Sequence, residues 1–488
     1  MGTRYNFVKS EDEGIKMETK IQHSYAAALV ILFLADFLIN SDYSLLSVSL
    51  PTISTFFDIS VIESSLILIV CSAGLSAFVL PFGKMSKNGR LKRFTIIGSI
   101  IVAVTSLICG MCTEYWMLIV FSILQSIGVA MLMSVMPSII VKLLPSDRKG
   151  LGMSVMGVAS GVAIIAGPLI GGAISANLHW GWIFYFNIPF CILISIMAIR
   201  YLPKDVGVES SKDPTILGSL SVMIMISMIL GLLQGSSIFS GLGSIQFIVI
   251  IAFVAVICIS IYALISSIRR DKDRAILSPQ LFKNKEYTTI TVAFFLCSII
   301  SGGCFYILPY MFQGYWGMDE FESGVYLALS SVSTIVLSLP VGRICDKYGC
   351  KWPSAAAPIL RALFCIIMIV MAIQKSEAVF LLFPIIVFGA SHAFNGTALP
   401  TRMVHHATPG CEEEAANIML AVSPLASALG CAVFASIFGL FSSGSIGSMS
   451  QDDLMAGFIP IMCFSIVVLC ISLICTLVIK NKVVRKEN

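Results

Sequence analysis

Residues 158–189 read VASGVAIIAGPLIGGAISANLHWGWIFYFNIP. The first part of this stretch is an apolar helix carrying Gly161, Gly167, Pro168, Gly171 and Gly172. Small residues let membrane helices approach backbone to backbone, and that packing drives their association. Proline removes one backbone hydrogen bond and kinks the helix. The freed carbonyl is tolerable in a bilayer only where neighbouring helices cover it. Trp180, Trp182, Phe184 and Tyr185 follow as an aromatic belt of the kind found at membrane surfaces. A closely packed, kinked helix that ends at an interface is expected to serve as a pivot.

The whole chain agrees with a membrane reading. Of 488 residues, 57% are hydrophobic and 12% charged, and the mean hydropathy is +0.94. No soluble core needs so much apolar surface, so the chain reads as an all-α integral membrane protein. The fifteen cysteines lie mostly inside apolar runs without metal-ligand spacing and read as packing residues. A P-loop, a zinc-type His-Glu-x-x-His and a Gly-rich phosphate loop are all missing. An ATP-driven pump or an intramembrane metalloprotease therefore has no support. The chain is expected not to be an enzyme and to need no cofactor, metal or nucleic acid.

Fourteen apolar runs reach the roughly 20 residues needed to span a bilayer. They cover 25–48, 61–82, 94–113, 116–143, 150–175, 181–201, 215–235, 243–268, 287–312, 323–343, 354–374, 378–400, 416–441 and 455–479. With both termini placed in the cytoplasm, every Lys and Arg falls on the cytoplasmic side except Lys375 and Arg361. Cytoplasmic loops carry the Lys/Arg excess, and a miscounted span would scramble this pattern. The outer loops hold acids instead, at Asp319, Glu320, Glu322, Asp452 and Asp453.

Two basic segments repeat one pattern. Gly342-Arg343-Ile-Cys-Asp346-Lys-Tyr-Gly349-Cys-Lys351 follows the tenth run, and Gly83-Lys-Met-Ser-Lys87-Asn-Gly89-Arg90 follows the second. The first resembles the loop motif G-x-x-x-D-R/K-x-G-R/K of major facilitator transporters. The second is one residue shorter and lacks the aspartate. Residues 163–172 resemble the antiporter motif G-x-x-x-G-P-x-x-G-G of drug-exporting members, with Ala163 in the first slot, and the W-x-W-I-F-x-x-N-x-P tail is like that of the fourteen-span branch. The resemblance implies a major facilitator fold: two six-helix bundles, with spans seven and eight as an inserted central pair. The expected organisation is a cytoplasmic segment 1–24, a bundle 25–201, a linker with the extra pair 202–286, a bundle 287–480 and a tail 481–488. It also implies that Asp346 and nearby basic groups latch cytoplasmic helix ends in one state.

Charges inside the spans cost roughly 2.5–3.5 kcal/mol each on insertion scales, so each needs a reason. Asp42-Tyr-Ser-Leu-Leu-Ser-Val-Ser-Leu-Pro51 resembles the family's first-span motif, whose aspartate serves cation recognition or proton exchange. Helical geometry adds Asp36: at about 100° per residue, Asp36, Asn40, Tyr43 and Ser47 share one face. Asp42 lies about 120° from Asp36, on the side of Ser49. The stripe is the candidate cavity wall, and Asp42 is expected between helices nearer the outer surface. In the fourth span, Ser122-Ile-Leu-Gln125-Ser-Ile-Gly128 matches R-x-L-Q-G-I-G except that serine replaces the arginine linked to proton transfer. Arg361 is expected to snorkel toward the cytoplasmic face. His392, near Asn395 and Thr397, is a candidate for substrate or proton contact.

Together these features imply a monomeric plasma-membrane secondary transporter, exporting amphipathic, cationic drugs or toxic compounds by proton antiport with alternating access. The alternatives are a dedicated exporter of one metabolite, lipid or siderophore, and a receptor or scaffold that has lost coupling.

Overall fold

The computed structural model describes residues 2–87, 90–144, 149–205, 283–374, 377–408, 412–441 and 450–479, with scattered positions between 221 and 281. The helices are α1 (Gly2–Phe57), α2 (Val61–Lys87), α3 (Leu91–Gly110), α4 (Tyr115–Leu143), α5 (Lys149–Asn177), the short α6 (Trp182–Tyr185) and α7 (Asn187–Tyr201). They continue with α8 (Lys285–Gly314), α9 (Glu320–Tyr348), α10 (Lys351–Ile373), a 3₁₀ turn (Ala378–Leu381) running into α11 (Leu382–His405), α12 (Glu412–Phe441) and α13 (Gln451–Val478). Among the described residues, twelve helices are long and apolar enough to cross a membrane. They correspond to runs one to six and nine to fourteen. The expected inserted pair, 215–235 and 243–268, lies almost wholly outside the described residues.

The packing is a two-fold repeat. In the first half α1 packs on α5 and α7, α2 on α4, and α3 on α4 and α7. In the second half α8 packs on α12 and α13, α9 on α11, and α10 on α11 and α13. The main contacts between halves are α2 with α12 and α5 with α9, which the same repeat exchanges. Internal repeats of this kind are how transporter folds build two bundles that rock against each other.

Helix ends are closed by side chains. Acids expected as loop charge serve as caps: Asp319 with Glu322 forms a capping box on α9, and Ser450 with Asp453 forms another on α13. Such residues satisfy backbone N–H groups that have no partner within the helix. Asp205, just past α7, accepts from the backbone of Lys92 at 2.8 Å and of Arg93 at 3.1 Å. At the equivalent end of the second half, the buried Arg402 donates to Thr476 O at 2.9 Å and Ile479 O at 2.8 Å. A cation on the last carbonyls of α13 opposes the helix dipole.

The two basic repeats differ from the expected loops. Gly342 to Tyr348 are the last turns of α9, and Gly83 to Lys87 the last turns of α2. Gly349 ends α9 at φ +85°, a conformation only glycine takes freely. Arg343 is exposed and Arg90 half-buried at the start of α3, while Asn88, Gly89 and the Asp346 side chain lie outside the described residues.

The halves meet closely at the end carrying Phe57 and Gly314. Tyr306 donates to Val61 O, and the Tyr310 and Ser64 hydroxyls are 2.5 Å apart. Ser47 donates to Phe305 O at 2.5 Å, and Gln313 to Val48 O at 3.4 Å. Toward the other end Ser76 donates to Ala421 O at 2.7 Å. Beyond Gly161, Gly157 faces open space, where an added Cβ would meet nothing within 4 Å. Each neutral hydrogen bond contributes about 1 kcal/mol net. The double variant Tyr306→Phe, Tyr310→Phe is therefore expected to shift the balance toward opening at this end by about tenfold or more. Hydrogen exchange over residues 61–68 and 305–313 would rise; unchanged exchange would mean these bonds do not hold the end shut.

Candidate functional site

The site grows from α1, which threads between both halves. Its face of Asp36, Asn40, Tyr43 and Ser47 is divided between neighbours. Asp36 is 8% exposed and accepts from the Ser160 hydroxyl of α5. Ser160 also lies 3.0 Å from Met156 O, and a hydroxyl has one proton to give. An ionised Asp36 takes that proton's hydrogen bond. A protonated Asp36 can donate to Ser160, which then donates to Met156 O. Asn40 turns back onto the Asp36 carbonyl at 2.8 Å. Tyr43 and Ser47 reach across to the second half, with the Tyr43 hydroxyl 3.9 Å from Cys431 Sγ and Ser47 on Phe305 O.

Asp42 faces the interior of the first half. Asn187 of α7 donates to its Oδ1, as does Gln125 of α4 at 3.3 Å. Gln125 also donates to Ser106 of α3 at 3.1 Å. Four helices thus meet on one polar knot. A small cavity lined by Asp42, Tyr43, Gln125 and Cys71 adjoins it, with a water-accessible volume of about 40 Å³.

The second half supplies the opposite charge. Arg361 is not at a membrane surface: it is 0% exposed, which corrects the expectation that it snorkels. Its Nη1 donates to Cys297 O at 2.7 Å and to the Ser301 hydroxyl, and its Nε to Ser391 at 3.0 Å. Its Nη2 is 3.5 Å from His392 Nδ1. The guanidinium finds enough acceptors inside the bundle to stay there, because its position on α10 faces both α8 and α11. Among the described residues no carboxylate pairs with it. His392 is half-buried beside Phe305 and Phe388, with ring centroids at 5.8 and 6.4 Å. Most of Arg361's acceptors keep other partners, since Ser391 also donates to Phe388 O and Ser301 to Cys297 O. Taking a charge out of water costs several kcal/mol, which offsets much of what its buried hydrogen bonds return. Arg361→Met is therefore expected to change unfolding stability by no more than about 1 kcal/mol. A drop of several kcal/mol in detergent unfolding would make Arg361 a structural clamp.

The glycine motif serves two contacts. An added Cβ at Gly167 would lie 2.4 Å from Ser44 Cβ, and at Gly171 3.0 Å from Leu45 O, both on α1 of the same half. At Gly172 it would lie 2.6 Å from Glu320 O of α9, and at Gly324 of α9 2.3 Å from Pro168 O. Gly161 approaches Ile335 of α9. The helix runs on through Pro168 to Asn177. The motif's close backbone approach between halves is therefore Gly172 against Gly324, and Gly324 was not singled out by sequence. Ser160, Ser106 and Asn187 were also missed, although Asn187 stood in the quoted stretch as an amide beside the aromatic belt.

The sequence profile of the Major Facilitator Superfamily matches residues 32–435. The riboflavin transporter RibZ of Clostridioides difficile is 23% identical over 415 residues, covering 84% of this chain and 87% of that protein. The multidrug export protein EmrB of Escherichia coli is 27% identical over 324 residues, covering 65% of this chain and 61% of EmrB. The multidrug efflux pump SdrM of Staphylococcus aureus is 26% identical, covering 66% of this chain and 70% of SdrM. Among solved structures, an inward-facing bacterial homologue of the lysosomal transporter Spinster superposes with a TM-score of 0.67 at 13% identity, over 93% of this chain and 97% of that one.

Proposed function

We propose, on the premise that this chain belongs to the Major Facilitator Superfamily, that it exports amphipathic, cationic compounds across the cell membrane in exchange for protons. The family makes it a multi-pass membrane transporter of small molecules and not an enzyme. Multidrug exporters among the relatives support drug-like substrates. The Lys/Arg distribution supports cytoplasmic termini, with the Phe57 end outside. The close contacts at that end then correspond to a state open toward the cytoplasm. A single chain holds both bundles, which supports a monomer.

The observation that carries the reading is the hydrogen bond between Asp36 and Ser160. It ties a carboxylate inside the membrane to α5, the helix that bears on α9 of the other half. Removal from water disfavours the charged form of a carboxylate, and a nearby cation favours it. A cationic substrate entering beside α1 exchanges with the proton: the protonated acid plus the cation gives the ionised pair plus a released proton. The Ser160 hydroxyl reverses its hydrogen bond as this happens, and the change is delivered to the helix between halves. Tyr43, Phe305 and His392, all half-buried, are the side chains against which the apolar part of such a molecule would lie. Asp346 and the basic residues around it would then steady the cytoplasmic helix ends in the opposite state.

The test is efflux of a lipophilic cation from proteoliposomes under an imposed pH gradient. Flux that follows the gradient and collapses with a protonophore is the expected result. Flux indifferent to the gradient would remove proton antiport and leave facilitated passage.

A further inference from the structure

In the second half, α8, α10 and α11 share one polar turn built around Arg361. The guanidinium is sealed: the residue is 0% exposed, and the Phe388 ring lies against it with its centroid 5.5 Å from Cζ. An arginine carries five N–H donors and no acceptor. Those on Nε and Nη1 reach Ser391, Ser301 and Cys297 O. Among the described residues Nη2 meets one acceptor, Nδ1 of His392 at 3.5 Å. Because the guanidinium can only donate, Nδ1 must accept, and the proton of the neutral ring then sits on Nε2. A ring with protons on both nitrogens would set N–H against N–H. Nε2 itself has no hydrogen-bond partner among the described residues.

The ring stands at the edge of open space inside the bundle. Phe383, 61% exposed on the outside of the bundle, precedes His392 by nine residues, which is about 180° around α11. Gly396, one turn beyond His392 and on its face, is exposed, and an added Cβ there would meet nothing within 4 Å. The rings of Phe305 and Phe388 flank the imidazole, which holds its plane. The carbonyl of Phe305 takes the Ser47 hydroxyl of α1, so His392 stands beside the helix that carries Asp36.

We propose that His392 donates its Nε2–H to a carbonyl oxygen of the substrate, and that Arg361 is the positioning residue that fixes this tautomer. The substrates are then amphipathic cations that also carry a carbonyl group, a narrowing that rests on the cation-export reading above. A carbonyl suits a single neutral donor. A carboxylate taken out of water would need several donors or a cation, and the one cation nearby is closed off behind the ring. A donor placed this way discriminates against analogues of the same shape that lack the acceptor.

The test is equilibrium binding to the purified full-length protein in detergent at about pH 8, where a free imidazole is neutral. Two probes of matched shape are compared, (4-benzoylphenyl)triphenylphosphonium and (4-benzylphenyl)triphenylphosphonium, which differ by a ketone in place of a methylene. Wild type is expected to bind the ketone about three- to tenfold more tightly, the worth of one neutral hydrogen bond. His392→Phe should bind both probes alike, and His392→Gln, which still offers an N–H, should restore part of the preference. Arg361→Met should shrink the preference while leaving affinity for the methylene probe unchanged. A loss of packing would instead weaken both probes together. Should His392→Phe fold poorly, Arg361→Met carries the same test through the ratio of the two affinities. Equal binding of the probes to wild type would overturn this inference and leave cation export standing. A preference that survives His392→Phe would overturn it as well. No saturable binding of either probe would overturn both readings.

Discussion

Gly172→Leu is expected to give a protein that folds and inserts yet no longer transports. An added Cβ there would press to 2.6 Å from the carbonyl oxygen of Glu320, and the reciprocal glycine, Gly324, leaves only 2.3 Å to Pro168 O. Both neighbours are backbone and cannot swing aside. Overpacking of this kind costs typically 1–3 kcal/mol, enough to move an equilibrium by about 5- to 150-fold. Since the clash lies between halves, they can relieve it by parting at the Phe57 end without unfolding. The variant should therefore rest open at that end, with raised hydrogen exchange over residues 306–313. Gly171→Leu makes the contrast, because its clash with Leu45 O lies inside one bundle. That variant should lose stability and yield of folded protein first. Wild-type flux from Gly172→Leu would show that the α5–α9 contact does not slide.

Asp36→Asn is expected to abolish proton-driven export while leaving the fold intact. The amide is nearly the same size and still accepts from Ser160, so packing and that hydrogen bond survive. What is lost is the ability to ionise and to carry a proton. Without it the cation no longer exchanges for anything, and the hydrogen bond of Ser160 has no reason to reverse. Asp42→Asn touches a different set of helices and should mainly narrow the range of cations accepted. Folded protein with full pH-driven flux after Asp36→Asn would move the coupling role to Asp42.

Much of the architecture was written in local patterns. Twelve helices follow from run length and apolarity, and the repeated Gly342 and Gly83 segments fixed which helices correspond. The acidic caps were legible as acids but not as caps, because Asp319 and Ser450 act through backbone N–H groups three residues on. Angular arithmetic along α1 separated Asp36 from Asp42, and in space they face α5 and α4/α7 respectively. It could not say what stood opposite. Ser160 and Asn187 are 124 and 145 residues away in the chain, and no spacing rule links them to α1. Arg361 shows the same limit. A lone arginine in an apolar run reads as one reaching for water, and only the third dimension reveals Ser391, Ser301 and Cys297 O waiting for it. Gly324 escaped notice because its importance comes from the helix it touches.

The central claim is that substrate and proton compete at Asp36, and proton release on substrate binding tests it most directly. Purified protein in weakly buffered detergent solution receives a saturating lipophilic cation, and a pH-sensitive dye follows the medium. The account predicts release of protons from wild type near neutral pH, and none from Asp36→Asn even though the cation still binds. Binding to wild type without proton release, or undiminished release from Asp36→Asn, would contradict it.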